Sequence, residues 1–311
     1  MKRKKIAVVG GGQIGGILAL LVAQKELGDL VILDIPDKEN FIKGKALDIM
    51  QMRPNDGVDV ALSGNSDFSA MEGSDVVLVT AGMPRKPGMS RDDLLNINLN
   101  IIRNVADQVK QHAPNALVII TTNPLDAMVY AFYKLSGLPK AQVVGMAGAL
   151  DGARFRTFIA METELSVQDV SCLVMGGHGP SMVPLVRTAT VGGVPITDLL
   201  SAEQIQAIVK RTQDAGTELV KLYETGSAYF STASAVIEMA EAYLKDKQRV
   251  IPSAALCEGE YGVNGLFLGV PAVIGGTGVE RILEFELSSE EREMLDATVA
   301  AVSKTVEETG L

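Results

Sequence analysis

The chain has 311 residues, 47% of them apolar and 21% charged, which suits one large or two medium globular domains and argues against a disordered chain. Its 28 basic and 38 acidic residues give a net charge of −10, so neither nucleic acid nor an anionic membrane is an expected partner. Two cysteines, Cys172 and Cys257, are too few for a disulfide framework and lack metal-ligand spacing, which predicts a cytoplasmic protein with no metal site.

The first half of the chain alternates short apolar, β-branched runs with segments of helical periodicity, which predicts βαβ units and a parallel sheet. The predicted strands are Lys5–Val9, Leu30–Leu33, Val58–Leu62, Val76–Thr80, Leu117–Thr121 and Gln142–Gly145. The predicted helices are Gln13–Lys25, Asn40–Met52, Asp92–His112 and Leu125–Leu135. Because the strands are apolar throughout, helices should cover both faces of the sheet, as in a doubly wound α/β fold.

The pattern changes after about Met146, which predicts two packed domains, residues 1–146 and residues 147–311, the second of the α+β class. The predicted strands of the second domain are Val170–Met175, Met182–Thr190, Arg249–Ala255 and Leu266–Ile274, with Gly192-Gly193 as a hairpin turn. Its predicted helices are Leu150–Met161, a helix from Thr197 or Ser201 to about Tyr223, Tyr229–Leu244 and Ser288–Glu308. Glycines and charged residues interrupt the apolar stretch from 6 to 33, so no membrane span is expected.

A glycine-rich turn directly follows the first predicted strand. Gly10, Gly12 and Gly15 form the pattern G-x-G-x-x-G, in which the first glycine makes a tight turn, the second admits a pyrophosphate and the third lets the next helix pack closely. Gln13 and Ile14 complete the turn at the start of that helix, whose free N–H groups and positive dipole end attract phosphate. This segment is therefore a predicted dinucleotide-binding site.

Asp34 lies at the end of the second predicted strand, 19 residues past Gly15. A carboxylate there accepts both hydroxyls of an adenosine ribose and repels a 2′-phosphate, and Ile35-Pro36 offers no arginine to bind one. The glycine turn and the acid together predict a Rossmann domain that binds NAD rather than NADP. A Rossmann domain does not by itself name a reaction.

Polar residues of the second domain, and one loop of the first, are candidates for chemistry. His178 lies among three glycines after a predicted strand, where an imidazole is either catalytic or structural. Asp151 and Arg154 are three residues apart on one helix face, as part of a site or as an ordinary surface ion pair. The segment 82–91 is rich in proline and glycine and has three cationic side chains, which predicts a mobile loop, about 83–93, that closes over an anionic substrate.

Six features of the sequence carry a family resemblance. They are VGGGQIG, Asp34, AGMPRKPGMSR, TTNPLD, LDGARFR and GGHGPSMVP. In this order, over essentially the whole chain, they resemble the lactate/malate dehydrogenase superfamily, and in particular its bacterial lactate-dehydrogenase-like malate dehydrogenases. The resemblance implies NAD-dependent, reversible oxidation of malate to oxaloacetate by a homotetramer or homodimer.

The resemblance also implies a role for each matching residue. His178 would transfer the substrate proton, Asp151 would hydrogen-bond its far nitrogen, and Arg154 would bind the substrate C1 carboxylate. The other implied contacts are to the reacting carbonyl (Arg91 and Asn123), to the nicotinamide half of the cofactor (Asn98, Thr121, Thr122 and Asn123) and to the second substrate carboxylate (Arg85).

Two alternatives remain open at this point. A dehydrogenase of lactate or another 2-hydroxy acid would differ at position 85, where the malate branch of the family has arginine and the lactate branch usually has glutamine. A non-catalytic NAD-sensing protein would need the glycine turn but no proton relay.

Three departures from the family pattern, Pro180, Gly152 and the segment 226–231, concern the hydrogen bonding around His178 and the packing of the pocket wall.

Overall fold

The computed structural model describes residues 3–84, 91–224 and 226–311, and of Arg91 only the backbone. The strands are β1 Lys5–Val9, β2 Asp29–Leu33, β3 Leu62–Asn65, β4 Val76–Val79, β5 Leu117–Ile120, β6 Val143–Gly145, β7 Val170–Met175, β8 Val183–Val191, β9 Val194–Pro195, β10 Arg249–Glu258, β11 Asn264–Gly275 and β12 Gly278–Ile282. The helices are α1 Gln13–Gln24, α2 Glu39–Asp56, α3 Arg91–His112, α4 Leu125–Ser136, α5 Gly148–Thr163, α6 Ala202–Tyr223, α7 Phe230–Leu244 and α8 Ser289–Glu307. Within these ranges no helix combines the length and apolar character needed to cross a membrane.

Nine of these strands form one sheet in the order β12-β11-β10-β6-β5-β4-β1-β2-β3. Strands β1 to β6 are parallel, and β10 to β12 extend the sheet as antiparallel strands. The predicted doubly wound α/β sheet is confirmed. Its winding reverses between β1 and β4, so the loops at the carboxyl ends of these two strands border the crevice where such folds bind ligands.

Helices cover both faces of the large sheet. On one face α1, α2 and α7 pack against Ile6 and Val8 of β1. On the other face α3, α4 and α8 belong to the cluster that contains Ala7 and Val9. All four of these β1 side chains are at most 1% exposed. Burial on both faces is why the strand is apolar at every position, and it holds the turn after β1 in a fixed place.

A separate antiparallel sheet of β7, β8 and β9 belongs to the second half of the chain, where α5 and α6 pack against it. Just after β7, Gly176 forms an antiparallel bridge with Gly269 of β11. A Cβ at Gly269 would lie 2.5 Å from the Gly176 carbonyl oxygen, so this approach of two backbones requires glycine. The bridge fixes the start of the loop that contains His178 against the large sheet.

Two helix starts follow from local side-chain chemistry. Ser201 caps α6 in a reciprocal capping box with Gln204, which settles the choice between Thr197 and Ser201 in favour of the serine. Ser288 and Glu291 form the same arrangement at the start of α8. In both cases the signal lies within four consecutive residues, so it could be recognised without knowledge of tertiary structure.

The structure corrects the predicted strand Val58–Leu62. The strand β3 spans Leu62–Asn65 and pairs with β2, and the residues before it lie in the connection from α2. Gly64 explains this register, because a Cβ there would lie 2.6 Å from the backbone of Ile42 in α2. Close packing of the helix on the strand therefore outweighs the stronger local hydrophobicity of the preceding segment.

Glu241 on α7 binds three lysines where α7 packs against α1. Its carboxylate oxygens lie 2.8 Å from Nζ of Lys247, 2.9 Å from Nζ of Lys245 and 3.4 Å from Nζ of Lys25. Hydrogen bonds from Lys247 and Lys245 lower the pKa of Glu241 from 4.5 to about 2. Such a carboxylate stabilises the fold above its unfolded-state pKa, and this stabilisation is lost as the pH falls towards the folded-state pKa.

We expect Glu241→Gln to lower the free energy of unfolding by about 1–2 kcal/mol near pH 7, with the difference shrinking below about pH 4.5. Urea titrations at neutral and acidic pH measure this. Glu238→Gln is the matched control on the same helix, because Glu238 pairs with Arg249 at the surface and its loss should cost less than about 1 kcal/mol. A cost of Glu241→Gln that does not change with pH would contradict the assignment.

Candidate active site

The glycine turn joins β1 to α1 and is open to a ligand. Gly10 has a φ of +104°, a left-handed conformation that favours glycine. A Cβ at Gly15 would lie 1.9 Å from the Gly10 carbonyl oxygen, so α1 can pack this closely only with glycine there. A Cβ at Gly12 would instead enter open space. A ligand can therefore approach the backbone at Gly12 without steric hindrance.

The first turn of α1 provides unpaired backbone donors. Gly12 caps the helix with no side-chain hydrogen bond, and no acidic residue lies in the first turn. The N–H of Gly16 donates to the Gly12 carbonyl at 3.0 Å, which leaves the N–H groups of Gln13, Ile14 and Gly15 without an intrahelical partner. These donors and the positive end of the helix dipole suit a pyrophosphate.

Asp34 follows β2 and lies beside this turn. One of its carboxylate oxygens accepts the N–H of Gly11 at 2.8 Å, and the other accepts the N–H of Ile35 at 2.8 Å. These two bonds fix the carboxylate, and each oxygen retains a lone pair for a hydroxyl group. The side chain is only partly buried. Its position fits a contact with the adenosine ribose of a dinucleotide.

His178, Asp151 and Arg154 form one hydrogen-bonded cluster. The Nδ1 atom of His178, in the loop after β7, lies 2.8 Å from Oδ2 of Asp151 on α5. Nη1 of Arg154, one helical turn later, donates to Oδ1 of Asp151 at 3.1 Å. Asp151 is only 2% exposed. Of the two interpretations open for Asp151 and Arg154, the buried cluster excludes an ordinary surface ion pair.

The Asp151 carboxylate controls the tautomer and the charge of His178. Because Asp151 accepts the hydrogen bond, Nδ1 of His178 has the proton and Nε2 is left to exchange one. Burial disfavours the charged imidazole, but the Asp151 carboxylate outweighs burial and raises the pKa of His178 above its usual value. An imidazole whose far nitrogen is free can act as both proton donor and proton acceptor.

Arg154 retains donors for an anion. Its side chain is 11% exposed, and its Nε is buried with no hydrogen-bond partner among the residues that the structure describes. A buried donor without a partner is unfavourable unless a ligand supplies the acceptor. A carboxylate matches the planar guanidinium fork, so a carboxylate substrate would satisfy this side chain.

Asp126 is a residue that sequence reasoning missed, although the motif TTNPLD contains it. Its Oδ2 accepts the backbone N–H of His178 at 2.9 Å, while the neighbouring Gly177 N–H donates to Oγ1 of Thr298 at 3.0 Å. Burial raises the pKa of Asp126 to about 6, against the opposing hydrogen bond from His178. The two contacts fix the His178 loop from α4 and α8. They join residues far apart in sequence, so no local pattern indicates them.

Three buried polar residues, two that follow β5 and one on α3, form hydrogen bonds to the backbone. Asn98 is 1% exposed, accepts the Met83 N–H at 2.7 Å and donates to the carbonyls of Met83 at 3.1 Å and Asn123 at 2.6 Å. The hydroxyls of Thr121 and Thr122 donate to backbone carbonyls at 3.1 and 2.7 Å. In this structure Asn98 thus fixes the backbone at 83 and 123, and its amide hydrogens are not free for a cofactor. Asn123, in contrast, is exposed at the carboxyl end of β5.

Part of the predicted site lies outside the described residues. Arg85 falls there, together with the middle of the predicted closing loop, residues 85–90. Arg91 is the first residue of α3, and the structure describes only its backbone. Within the described ranges, no group of three or more histidine, cysteine or acidic side chains could hold a metal ion.

The departures from the family pattern leave the His178 cluster intact. A Cβ at Gly152 would enter open space, so a larger residue at this position would gain no contact through its Cβ. Beside Pro180, the Ser181 hydroxyl hydrogen-bonds to that of Thr298 at 3.0 Å. In the segment 226–231, Tyr229 stacks on a tyrosine of α6 with ring centroids 5.0 Å apart.

Comparisons with known proteins identify the family of the chain. The family model for the lactate/malate dehydrogenase NAD binding domain matches residues 4–145, and that for the lactate/malate dehydrogenase alpha/beta C-terminal domain matches residues 148–310. Malate dehydrogenase of Myxococcus xanthus is 56% identical over 305 residues, which are 98% of this chain and 97% of that protein.

Solved structures of two kinds of enzyme are similar to the chain. Malate dehydrogenase of Cryptosporidium parvum is 42% identical, with a TM-score of 0.95 and 99% of each chain covered. Lactate dehydrogenase of the same organism, complexed with lactic acid and β-nicotinamide adenine dinucleotide, is 45% identical, with a TM-score of 0.96 and coverage of 100% of this chain and 99% of that one. Overall structure alone therefore does not distinguish the two substrates.

Proposed function

The chain belongs to the lactate/malate dehydrogenase family, and from this premise we propose that it interconverts (S)-malate and oxaloacetate with NAD as its cofactor. The observation that carries the proposal is the buried cluster of His178, Asp151 and Arg154, which places a proton acceptor next to a carboxylate-binding group. Two relatives named malate dehydrogenase, each 56% identical over nearly the whole chain, favour malate over lactate.

The glycine turn and its surroundings fit NAD. The open space at Gly12 and the free N–H groups of α1 would receive the pyrophosphate, and Asp34 would bind the adenosine ribose. When bound, NAD⁺ supplies the acceptor for the hydride that leaves C2 of malate. The Asp34 carboxylate would repel a 2′-phosphate, which is why we propose NAD rather than NADP.

The proton is moved by His178. During malate oxidation neutral His178 accepts the C2 hydroxyl proton at Nε2, and Asp151 stabilises the imidazolium that forms. In the reverse direction the protonated ring donates that proton to the oxygen of oxaloacetate. Asp126 acts through the backbone, because its hydrogen bond to the His178 N–H fixes the loop without touching the imidazole nitrogens.

Four residues would bind the substrate. We assign the C1 carboxylate to Arg154 and the reacting oxygen to Arg91 and Asn123. Oxaloacetate has a second carboxylate that pyruvate lacks, and Arg85 is its proposed partner. Closure of the predicted loop 83–93, whose residues 91–93 belong to α3, would exclude water and strengthen each of these charge contacts.

Reduction of oxaloacetate and of pyruvate by NADH, followed at about 340 nm, tests the proposed function. The account predicts a much higher kcat/KM for oxaloacetate. Higher activity with pyruvate would favour the lactate alternative, and activity with neither substrate would favour a protein that senses NAD without catalysis.

The variant Arg85→Gln tests whether the substrate is oxaloacetate, because position 85 distinguishes the malate and lactate branches of the family. Loss of one member of a desolvated charge pair typically costs about 2–5 kcal/mol, so kcat/KM for oxaloacetate should fall by about 30-fold to several thousand-fold. Pyruvate reduction should stay level or improve, because the variant no longer leaves an arginine unpaired. Equal loss with both substrates would instead make Arg85 a general loop or cofactor contact.

We also propose that the chain divides into domains 1–146 and 147–311, works in the cytoplasm and forms a homodimer or homotetramer. Support for assembly comes from large apolar side chains exposed on several elements, such as Leu47, Met161 and Val250, which are 52%, 59% and 41% exposed. Both cysteines are free, as is usual in a reducing compartment. Light scattering after size-exclusion chromatography would give the number of subunits.

A further inference from the structure

Lys45 of α2 reaches across to the glycine turn. Its Nζ donates to the carbonyl of Gly11 at 2.9 Å and to the carbonyl of Gly12 at 2.7 Å. The side chain is partly buried, and its Nζ lies 4.6 Å from the centre of the Phe41 ring. An ammonium group held over an aromatic ring and bound to two carbonyls has little freedom to move.

Gly16 provides the room for this lysine. A Cβ at position 16 would lie 2.9 Å from Nζ of Lys45 and 3.4 Å from its Cδ. The G-x-G-x-x-G pattern ends at Gly15 and does not require a glycine at the next position. A side chain at position 16 would therefore require the end of the Lys45 side chain to move from its present position.

The contacts of Lys45 help to hold the direction of two peptide groups, and the Gly12 carbonyl is held in addition by the Gly16 N–H. In a trans peptide the C=O of one residue and the N–H of the next point in opposite directions. Because Lys45 binds the carbonyls of Gly11 and Gly12, the N–H groups of Gly12 and Gln13 point away from the lysine. These N–H groups are among the backbone donors that the turn offers to a pyrophosphate. The negative ends of the two carbonyl dipoles point towards Lys45 and away from the side that an anion approaches.

The charge of Lys45 has the correct sign for this role. Burial lowers the pKa of Lys45, and the carboxylate of Asp34 opposes that effect. The ammonium group that donates to the carbonyls of Gly11 and Gly12 therefore also interacts electrostatically with the carboxylate proposed for the ribose. Lys43 on the same helix is directed elsewhere, since it pairs with Glu39 one turn earlier.

We propose that Lys45 is a positioning residue for the cofactor pyrophosphate, which it serves by orienting the peptides of Gly11 and Gly12 and by adding positive charge beside them. The proposal rests on the assignment of the glycine turn to NAD. It differs from a merely structural role, in which Lys45 would join α2 to α1 and affect all ligands alike.

Binding experiments with ligands of different size separate the two roles. NADH binding is measured by its fluorescence, and ADP and adenosine are measured as competitors. Lys45→Met should weaken NADH and ADP by about 10- to 100-fold, the range for hydrogen bonds to a charged group, and adenosine by less than about twofold. At saturating NADH, kcat should change little, so the effect should appear in the KM for NADH.

Lys43→Met is the matched control and should bind all three ligands as the unmutated chain does. Lys45→Gln is a second variant in case Lys45→Met does not fold, and it should show the same selective loss. Equal weakening of ADP and adenosine, or unchanged ADP binding, would overturn the proposal for Lys45. Failure of the unmutated protein to bind NADH would instead contradict the proposed function.

Discussion

His178→Asn should lower kcat by about 10²- to 10⁴-fold in both directions, the usual contribution of a positioned general acid or base. Asparagine approximates the size of the imidazole near the backbone but cannot take up a proton. The variant also keeps the backbone N–H that donates to Asp126 at 2.9 Å, so the loop should stay in place. Stopped-flow or steady-state assays with malate and with oxaloacetate measure the loss.

NADH binding gives the control for this variant, since its affinity should be nearly unchanged. His112→Asn is the matched substitution at the other histidine of the chain, which lies near Glu72 at the end of α3, and it should leave kcat unaltered. If His178→Asn retains more than about a tenth of the rate, another residue is the acid and base.

Arg154→Lys should reduce kcat/KM for oxaloacetate by about 30-fold to several thousand-fold, the range for loss of a buried, hydrogen-bonded contact to a charge. Lysine keeps the positive charge but not the planar fork that matches a carboxylate. Nε of Arg154 is buried without a partner in the described part of the chain, so a substrate carboxylate is the acceptor that we expect it to serve. Steady-state kinetics with varied oxaloacetate measure the effect.

A companion variant separates recognition from electrostatics. The charge of Arg154 lowers the pKa of His178, in opposition to Asp151. Arg154→Met should therefore raise the pKa seen in the kinetics, whereas Arg154→Lys should not. Arg156→Lys, two residues later on α5, is the matched control and should change kcat/KM by less than about threefold. An unchanged KM and kcat in Arg154→Lys would reduce Arg154 to a structural partner of Asp151.

The strand β1 and the turn after it are predictable because their signals are local. A strand buried on both faces is apolar at every position, and a tight turn at Gly10 with a close contact at Gly15 needs glycine whatever follows in the sequence. Asp34 is predictable for the same reason, since its distance from the turn is set by one βαβ unit.

The proposed acid–base pair has no such local signal. His178 and Asp151 are 27 residues apart, and spacing alone left both of them with a structural alternative. Their pairing was anticipated only through the family resemblance, and the 2.8 Å contact in the structure supports it. Asp126 and Lys45 act on backbone groups, which sequence patterns do not reveal.

Edges of the large sheet were the least predictable part of the fold. The strand β12 has exposed polar residues such as Arg281, so it shows no apolar run. It forms because β11 offers a free edge to pair with after a tight turn. At the other edge, the register of β3 depends on the contact of Gly64 with α2. Both features are decided by tertiary packing, which overrides local propensity.

The pH dependence of kcat/KM, measured for malate oxidation and for oxaloacetate reduction, tests the His178–Asp151 relay most directly. Oxidation needs neutral His178 and should increase with pH, while reduction needs the protonated form and should decrease. Both curves should bend at a pKa above the usual value of about 6.5, because Asp151 raises the pKa of His178 more than burial lowers it. Asp151→Asn should move both curves to lower pH. Profiles that run in the same direction, or that Asp151→Asn leaves in place, would contradict the relay.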